Sequence, residues 1–335
     1  MTNYRKTLGL GACLMLLGNL MVTQATADTT LTFASAAPAP APINRAFEQW
    51  AQMVNEATGG EVTINVVAGG TLGRNGQLLD RVQSGVIDIA WDFQGYYPNR
   101  FPLSSVAELP FIYETALEGS IATQSLFDEG VISGEYDDFV TIGLFAFPNN
   151  SVILSQPLPD DGMLTGLKLS AQNPTMYAAL EALGGVPVAM GIGDWYPAIS
   201  RGTIDGAIVA FTAVPAFRFQ EVTSYYYKAA LGGNTGFTVM NRAAFDALPE
   251  EAREALMSVS GEAFAAHMGA FLNEQAAAGE GLAATTAEEI VEIEGEQVDM
   301  WRAALEGIEA AWIDAGPGDA DTVAAMRSAV ESARQ

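Results

Sequence analysis

The sequence predicts an α/β protein whose two lobes share crossing connections. Three observations carry this expectation. From about residue 30 to residue 240, short apolar runs suited to strands take turns with stretches of helical spacing. Past Pro249 the pattern turns almost wholly helical. No fixed-period repeat and no low-complexity linker separates the blocks, which argues against two independent beads.

The elements follow in order. Arg5 and Lys6 precede an apolar run to about Val22, and Ala25-Thr26-Ala27 forms a small-x-small cleavage site. Residues 1–27 therefore read as a secretory signal peptide. The run is short of the roughly 20 apolar residues of a transmembrane anchor. A lipoprotein reading of Cys13 is rejected, because only a short stretch separates it from Lys6 and apolar sequence continues beyond it. "TLTFAS" is a strand, followed by an Ala/Pro loop and a helix from about Asn44 to Thr58 with Phe47, Trp50, Ala51 and Val54 on one face. "EVTINVV", "VIDIAWDF", "FVTIGLFAFP", "GLKLSA", "VPVAM", "TIDGAIVA" and "GFTVMN" read as further strands, with helices at "RNGQLLDRVQSG", Thr175 to Leu183 and Trp195 to Arg201. Glu250 and Glu251 suit the first turn of a helix, "EIVEIE" is one late strand, and residues 297–334 are helical.

Composition excludes several classes of function. The net charge of −25 opposes nucleic acid, whose phosphates need a basic surface, and anionic membranes. The single cysteine would leave with the leader, so the mature chain has no disulfide, thiol nucleophile or thiolate metal site. One histidine, His267, sits in an Ala-rich helical stretch; without a G-x-S-x-G elbow it reads as structural. Neither zinc nor EF-hand spacing occurs, and no cofactor is expected. "AGGTLGRNG" is Gly-rich but matches neither nucleotide-binding fingerprint. The residues thus describe an exported two-lobe α/β protein whose leading function is binding, not catalysis.

The order of motifs resembles the extracytoplasmic solute receptors of tripartite ATP-independent periplasmic (TRAP) transporters, from about Leu31 to Ala315. The carriers are "GGEVTINVVAGGTLGRNGQLLDRVQSGVIDIAW", "AELPFIYET", "LTGLKLSAQNP", "GDWYPAISRGTIDGAI" and "FRFQEVTSYYY". The resemblance implies a Venus-flytrap fold with crossing strands and a long connecting helix. Lobe I would take 28–150 plus about 233–272, and lobe II 151–232 plus about 273–335. It also implies a periplasmic, monomeric receptor that captures a small molecule and docks on the small and large membrane subunits of a permease. A chemosensory receptor would share these features, and a periplasmic enzyme would need a constellation that the chain lacks.

Within that likeness the ligand grip departs from the pattern. Ser170 stands where most members carry an arginine that clamps a carboxylate in a bidentate pair, and Asn150 stands at the place of a second arginine. Ala207, Ile208 and Val209 replace a polar "Gln-Glu-Asn". Aromatics gather near the same strand ends: Trp91, Phe93, Tyr96, Tyr97, Trp195, Tyr196 and Phe211, with Asp92 among them. These point either to an amine or zwitterion held by cation–π and charge contacts, or to an aromatic ligand stacked between rings. The candidate contacts are Ser170, Asn150, Trp195, Asp92, Trp91, Val209 and Phe211. Arg100 or Arg74 would serve as a relocated clamp if the ligand were an organic acid. Asp194 is expected to cap the following helix, and Tyr196, Asp88 and Asp205 read as structural.

Overall fold

The computed structural model describes residue 1 and residues 28–335 apart from Pro98 and Pro317. The signal-peptide and Cys13 readings lie outside the described residues. Two sheets form two lobes. The first is built from β1 (Thr29–Ala34), β2 (Val62–Val67), β3 (Ile89–Phe93), β4 (Val140–Ala146) and a later strand, β10 (Thr235–Met240), in the order β2-β1-β3-β10-β4. β1 pairs parallel with β2 and β3, whereas β10 runs antiparallel to β3 and β4. The second holds β5 (Ser151–Leu154), β6 (Lys168–Ser170), β7 (Val186–Pro187), β8 (Gly206–Val209), β9 (Tyr225–Lys228) and β11 (Glu289–Glu292), in the order β11-β9-β5-β8-β6-β7.

Helices cover these sheets. α1 (Ile43–Ala57) buries Phe47, Trp50, Ala51 and Val54, as its spacing requires, and the Trp50 indole donates to the Val259 carbonyl at 3.0 Å. α2 (Leu78–Gln83) and α3 (Ala116–Asp128) complete the first half of the chain. In the second, α4 (Pro174–Ala182), α5 (Trp195–Ser200) and α6 (Ala213–Phe217) alternate with the strands. After β10 come α7 (Arg242–Asp246), α8 (Glu250–Ser258) and α9 (Glu262–Ala283), then, beyond β11, α10 (Gly295–Asp314) and α11 (Ala320–Ala333).

The chain crosses between lobes at Phe147–Asn150, from β4 to β5, and at 229–234, from β9 to β10. These segments are laced together: Phe147 N–H donates to the Asn234 carbonyl at 2.8 Å, and Asn150 N–H to that of Gly232 at 2.9 Å. α9 forms a third bridge. A Cβ on Gly269 would stand 2.6 Å from the Leu117 Cα, and one on Gly279 would stand 2.1 Å from the Phe211 carbonyl oxygen. Only glycine allows these close approaches to α3 at one end and to the second lobe at the other.

Two strands escape the sequence reading, β5 and β9, and both lie inside the second sheet. The C-terminal assignment also changes. α10 straps both lobes, its Trp301 indole donating to the Gly162 carbonyl at 2.9 Å and its Trp312 indole to the Ser105 hydroxyl at 2.8 Å. α11 then returns to the first lobe, where Arg334 pairs with Glu114 at 3.2 Å and Glu118 at 3.1 Å. Residues 320–333 therefore do not sit with the second lobe as expected.

Candidate ligand-binding site

A cavity of about 140 Å³ lies between the lobes beside the crossings. Its first-lobe wall is aromatic: Trp91, Phe93, Tyr96 and Phe147. Alternation along β3 directs Trp91 and Phe93 to the same face, where their rings meet edge to face at 5.2 Å. Phe93 and Phe147 are 4.9 Å apart. The Trp91 indole donates to the Ser35 hydroxyl at 2.8 Å, and that hydroxyl donates to Asn44 Oδ1 at 2.7 Å. Asn44 Nδ2 in turn donates to the Pro38 carbonyl at 2.8 Å, so one chain of bonds fixes both the ring and the Ala/Pro loop 36–42, which lines the floor.

The opposite wall comes from the second lobe. Val209 ends β8 and Ala210 follows it, and Thr212, Ala213, Ala216 and Phe217 come in and before α6. Leu272 and Gln275 of α9 close one side. Asn75, Gln172 and Asn234 supply further polar groups. Among the described residues, none that lines this cavity is an Asp, Glu, Lys, Arg or His. The site can therefore stack and desolvate a ring and offer neutral hydrogen bonds, but it holds no ionised partner for a charged ligand.

Of the residues singled out from sequence, Trp91 and Val209 line the cavity, and Phe93 and Tyr96 do so with them. The others lie elsewhere. Trp195 is fully buried in the second-lobe core, stacked 6.0 Å from Phe219, with its indole donating to the Met190 carbonyl. Phe211 stacks on Tyr226 at 5.6 Å in the same core. Ser170 is buried with its hydroxyl 3.3 Å from that of Tyr177. Asn150 is buried in the crossing, donating through Nδ2 to the Gly232 carbonyl at 2.8 Å; its Oδ1 meets no partner among the described residues. Arg100 pairs with Asp138 at 2.7 Å and covers the Phe139 ring, outside the cavity, and Arg74 is exposed.

Asp92 lies beneath the site instead of in it. Its carboxylate accepts from Asn75 Nδ2 at 2.5 Å, Gly76 N–H at 2.8 Å, Phe93 N–H at 2.9 Å and the Tyr97 hydroxyl at 2.6 Å. Burial outweighs these bonds and raises its pKa. The Tyr96 phenol is likewise pushed up, first by burial and then by the Asp92 charge. Asp194 occupies the cap position of α5 without making a side-chain cap bond, contrary to expectation. His267 meets the Ala46 carbonyl at 2.9 Å, a helix-to-helix contact.

Sequence reasoning missed Phe147, Asn75, Gln172, Phe217 and Asn234. Phe147 had a usable signal, since it continues the apolar alternation of β4 into the crossing. The polar three stand in loops, where no periodicity marks them.

Two α/β lobes hinged around an interlobe cavity define a solute receptor of the binding-protein class. The chain belongs to the bacterial extracellular solute-binding protein family 7, whose model matches residues 33–313. Its fold is similar to that of a TRAP solute-binding protein specific for aromatic acid ligands, from an unidentified marine microbe, solved with 3-hydroxybenzoate. That likeness has a TM-score of 0.86 at 27% identity, covering 92% of this chain and 100% of the other. A TRAP solute-binding protein from Rhodoferax ferrireducens, which copurified with benzoate, matches with a TM-score of 0.84 at 25% identity, over 91% of this chain and 98% of its own. The outer membrane transporter protein TsaT of Comamonas testosteroni is 29% identical over 276 residues, 79% of each chain.

Proposed function

We propose that the protein is an extracytoplasmic receptor that closes its lobes on a small uncharged aromatic solute and delivers it to a TRAP-type permease. The observation that carries this reading is the cavity itself, walled by Trp91, Phe93, Tyr96, Phe147 and Phe217 and, among the described residues, lined by no charged side chain. Offset and edge-on ring contacts are each worth about 0.5–1.5 kcal/mol beyond area burial, which favours a ring over an aliphatic solute. The two solved relatives with aromatic acids support an aromatic ligand. An acid, however, would need a cationic partner. Ser170 replaces the expected arginine, and Arg100 is engaged with Asp138. An amine fares no better, because Asp92 is spent on its own loop.

The test is a thermal-shift series on protein stripped of ligand by unfolding and refolding. Benzamide, benzoate and benzylamine would be compared at equal concentration. A ligand at 100 times its Kd adds about 2.7 kcal/mol of stability. Shifts with benzamide alone are expected. Shifts confined to benzoate would return the protein to the aromatic-acid receptors, and shifts confined to benzylamine would support an amine receptor.

A further inference from the structure

Three amides in series join the lobes at the edge of the cavity, and each is oriented by the one before it. Asn173 caps α4 by accepting the Met176 N–H on Oδ1 at 2.8 Å. Its amide orientation is thereby fixed, and Nδ2 donates to Oδ1 of Asn234 at 2.8 Å. Asn234, in the crossing to β10, must then present Nδ2, and it donates to Oε1 of Gln172 at 2.8 Å. With Oε1 turned to Asn234 and one of its lone pairs engaged there, Gln172 has its Nε2 hydrogens to offer to the cavity that it lines. A helix cap thus sets the polarity of a side chain two links away.

The same corner holds a side recess of about 10 Å³, bounded by Phe93, Gly95, Tyr96, Gln172 and Asn234. This is close to the space of one water-sized atom. Gly95 there approaches Asn173, a Cβ on it standing 3.3 Å from the Asn173 Cβ, so the recess forms where the two lobes touch.

We infer that Gln172, oriented through Asn234 and Asn173, is the specificity-determining donor of the site and selects aromatic solutes bearing a neutral hydrogen-bond acceptor, such as a carbonyl oxygen, on the ring substituent. The inference rests on the uncharged-aromatic reading above and adds the chemistry of the polar end. Stacked rings alone cannot discriminate a carbonyl from a hydrocarbon of the same shape. A site whose buried donors go unmet when the acceptor is missing discriminates strongly.

Acetophenone and α-methylstyrene test this, being near-isosteres that differ by C=O against C=CH2. Calorimetric titration of the stripped full-length mature protein should give at least tenfold tighter binding of acetophenone. Gln172→Leu should cut that preference to within about threefold, because acetophenone loses its donor while α-methylstyrene loses none. Asn234→Asp provides a second variant. The new carboxylate cannot donate, so Gln172 turns its N–H groups toward it and shows the cavity an oxygen, and the acetophenone preference is again lost. Equal binding of the two ligands by the wild type, or a preference that survives in both folded variants, would overturn the inference while leaving an aromatic receptor intact. Binding of neither ligand, with benzoate bound, would instead remove the uncharged-aromatic reading on which it rests.

Discussion

The Tyr97 hydroxyl donates to Asp92 Oδ2 at 2.6 Å while accepting the backbone N–H groups of Leu78 and Leu79 at 3.1 and 3.2 Å. One buried carboxylate and one phenol therefore tie the end of β3 to the first turn of α2, and hold Asn75 at the cavity edge. Asp92→Ala would strand several donors at once. The expected loss is about 3 kcal/mol of unfolding free energy, since bonds to a charged group contribute about 1.5–3 kcal/mol each and are not additive. Chemical denaturation checks the stability, and ligand titration should show weakened binding in the folded fraction.

Glu108 gives the protein a pH dependence of stability. It is buried beside the start of β10, where Oε1 accepts the Thr235 N–H at 3.2 Å and hydroxyl at 2.9 Å. Burial raises its pKa from 4.5 to about 7 against the lowering effect of these bonds. The folded state then holds a proton that the unfolded state releases, so its contribution is full below pH 4.5 and is lost as the pH rises to about 7. The loss amounts to about 3 kcal/mol. Glu108→Gln should flatten this part of the profile. Urea denaturation from pH 4 to 8, wild type against variant, checks it; parallel profiles would refute the assignment.

Arg100 provides a negative control for a displaced carboxylate clamp. Its side chain is about a third exposed and paired with Asp138, away from the cavity. Arg100→Ala should leave ligand affinity within about twofold and change stability by no more than about 1 kcal/mol, as for surface ion pairs generally. A tenfold loss of affinity by calorimetry would place the arginine back in the grip.

Phe217 tests the second-lobe wall. It is only partly buried and follows the alanines of α6 that face the cavity. Phe217→Leu keeps apolar bulk but removes the ring face, and should weaken an aromatic ligand roughly three- to tenfold with little effect on the melting temperature. Calorimetry with the best neutral aromatic from the ligand series measures this.

Most of the architecture was legible because burial imposes periodicity. Phe47, Trp50 and Val54 mark α1, and the alternation in "VIDIAWDF" marks β3 together with the Trp91 wall. β5, the run Ser151–Leu154, was not legible: all four residues are buried, so no alternation distinguishes it from a loop or a helix fragment. β9 is three tyrosines and a lysine, and tyrosine rings suit a sheet and a ligand face equally well, so the run carried no strand signal of its own. The same ambiguity misplaced Trp195 and Phe211, because an aromatic at a strand end looks alike in a core and in a pocket wall. Gln172 and Asn234 were invisible for a different reason. Their roles depend on which amide oxygen is already engaged, and that is decided by contacts between segments 61 residues apart.

The segregation of charge has a consequence for where such a receptor can work. Among the described residues every charged side chain lies outside the cavity lining, and apart from buried groups such as Asp92 and Glu108 most are in reach of counterions, while the lining relies on ring faces and neutral amides. Dissolved salt screens exposed charges over about 10 Å at 0.1 M and 3 Å at 1 M, yet has little purchase on a desolvated dipole. Capture by this chain should thus be as firm in brine as in fresh water, and the osmotic history of the cell would be felt by its surface and not by its ligand.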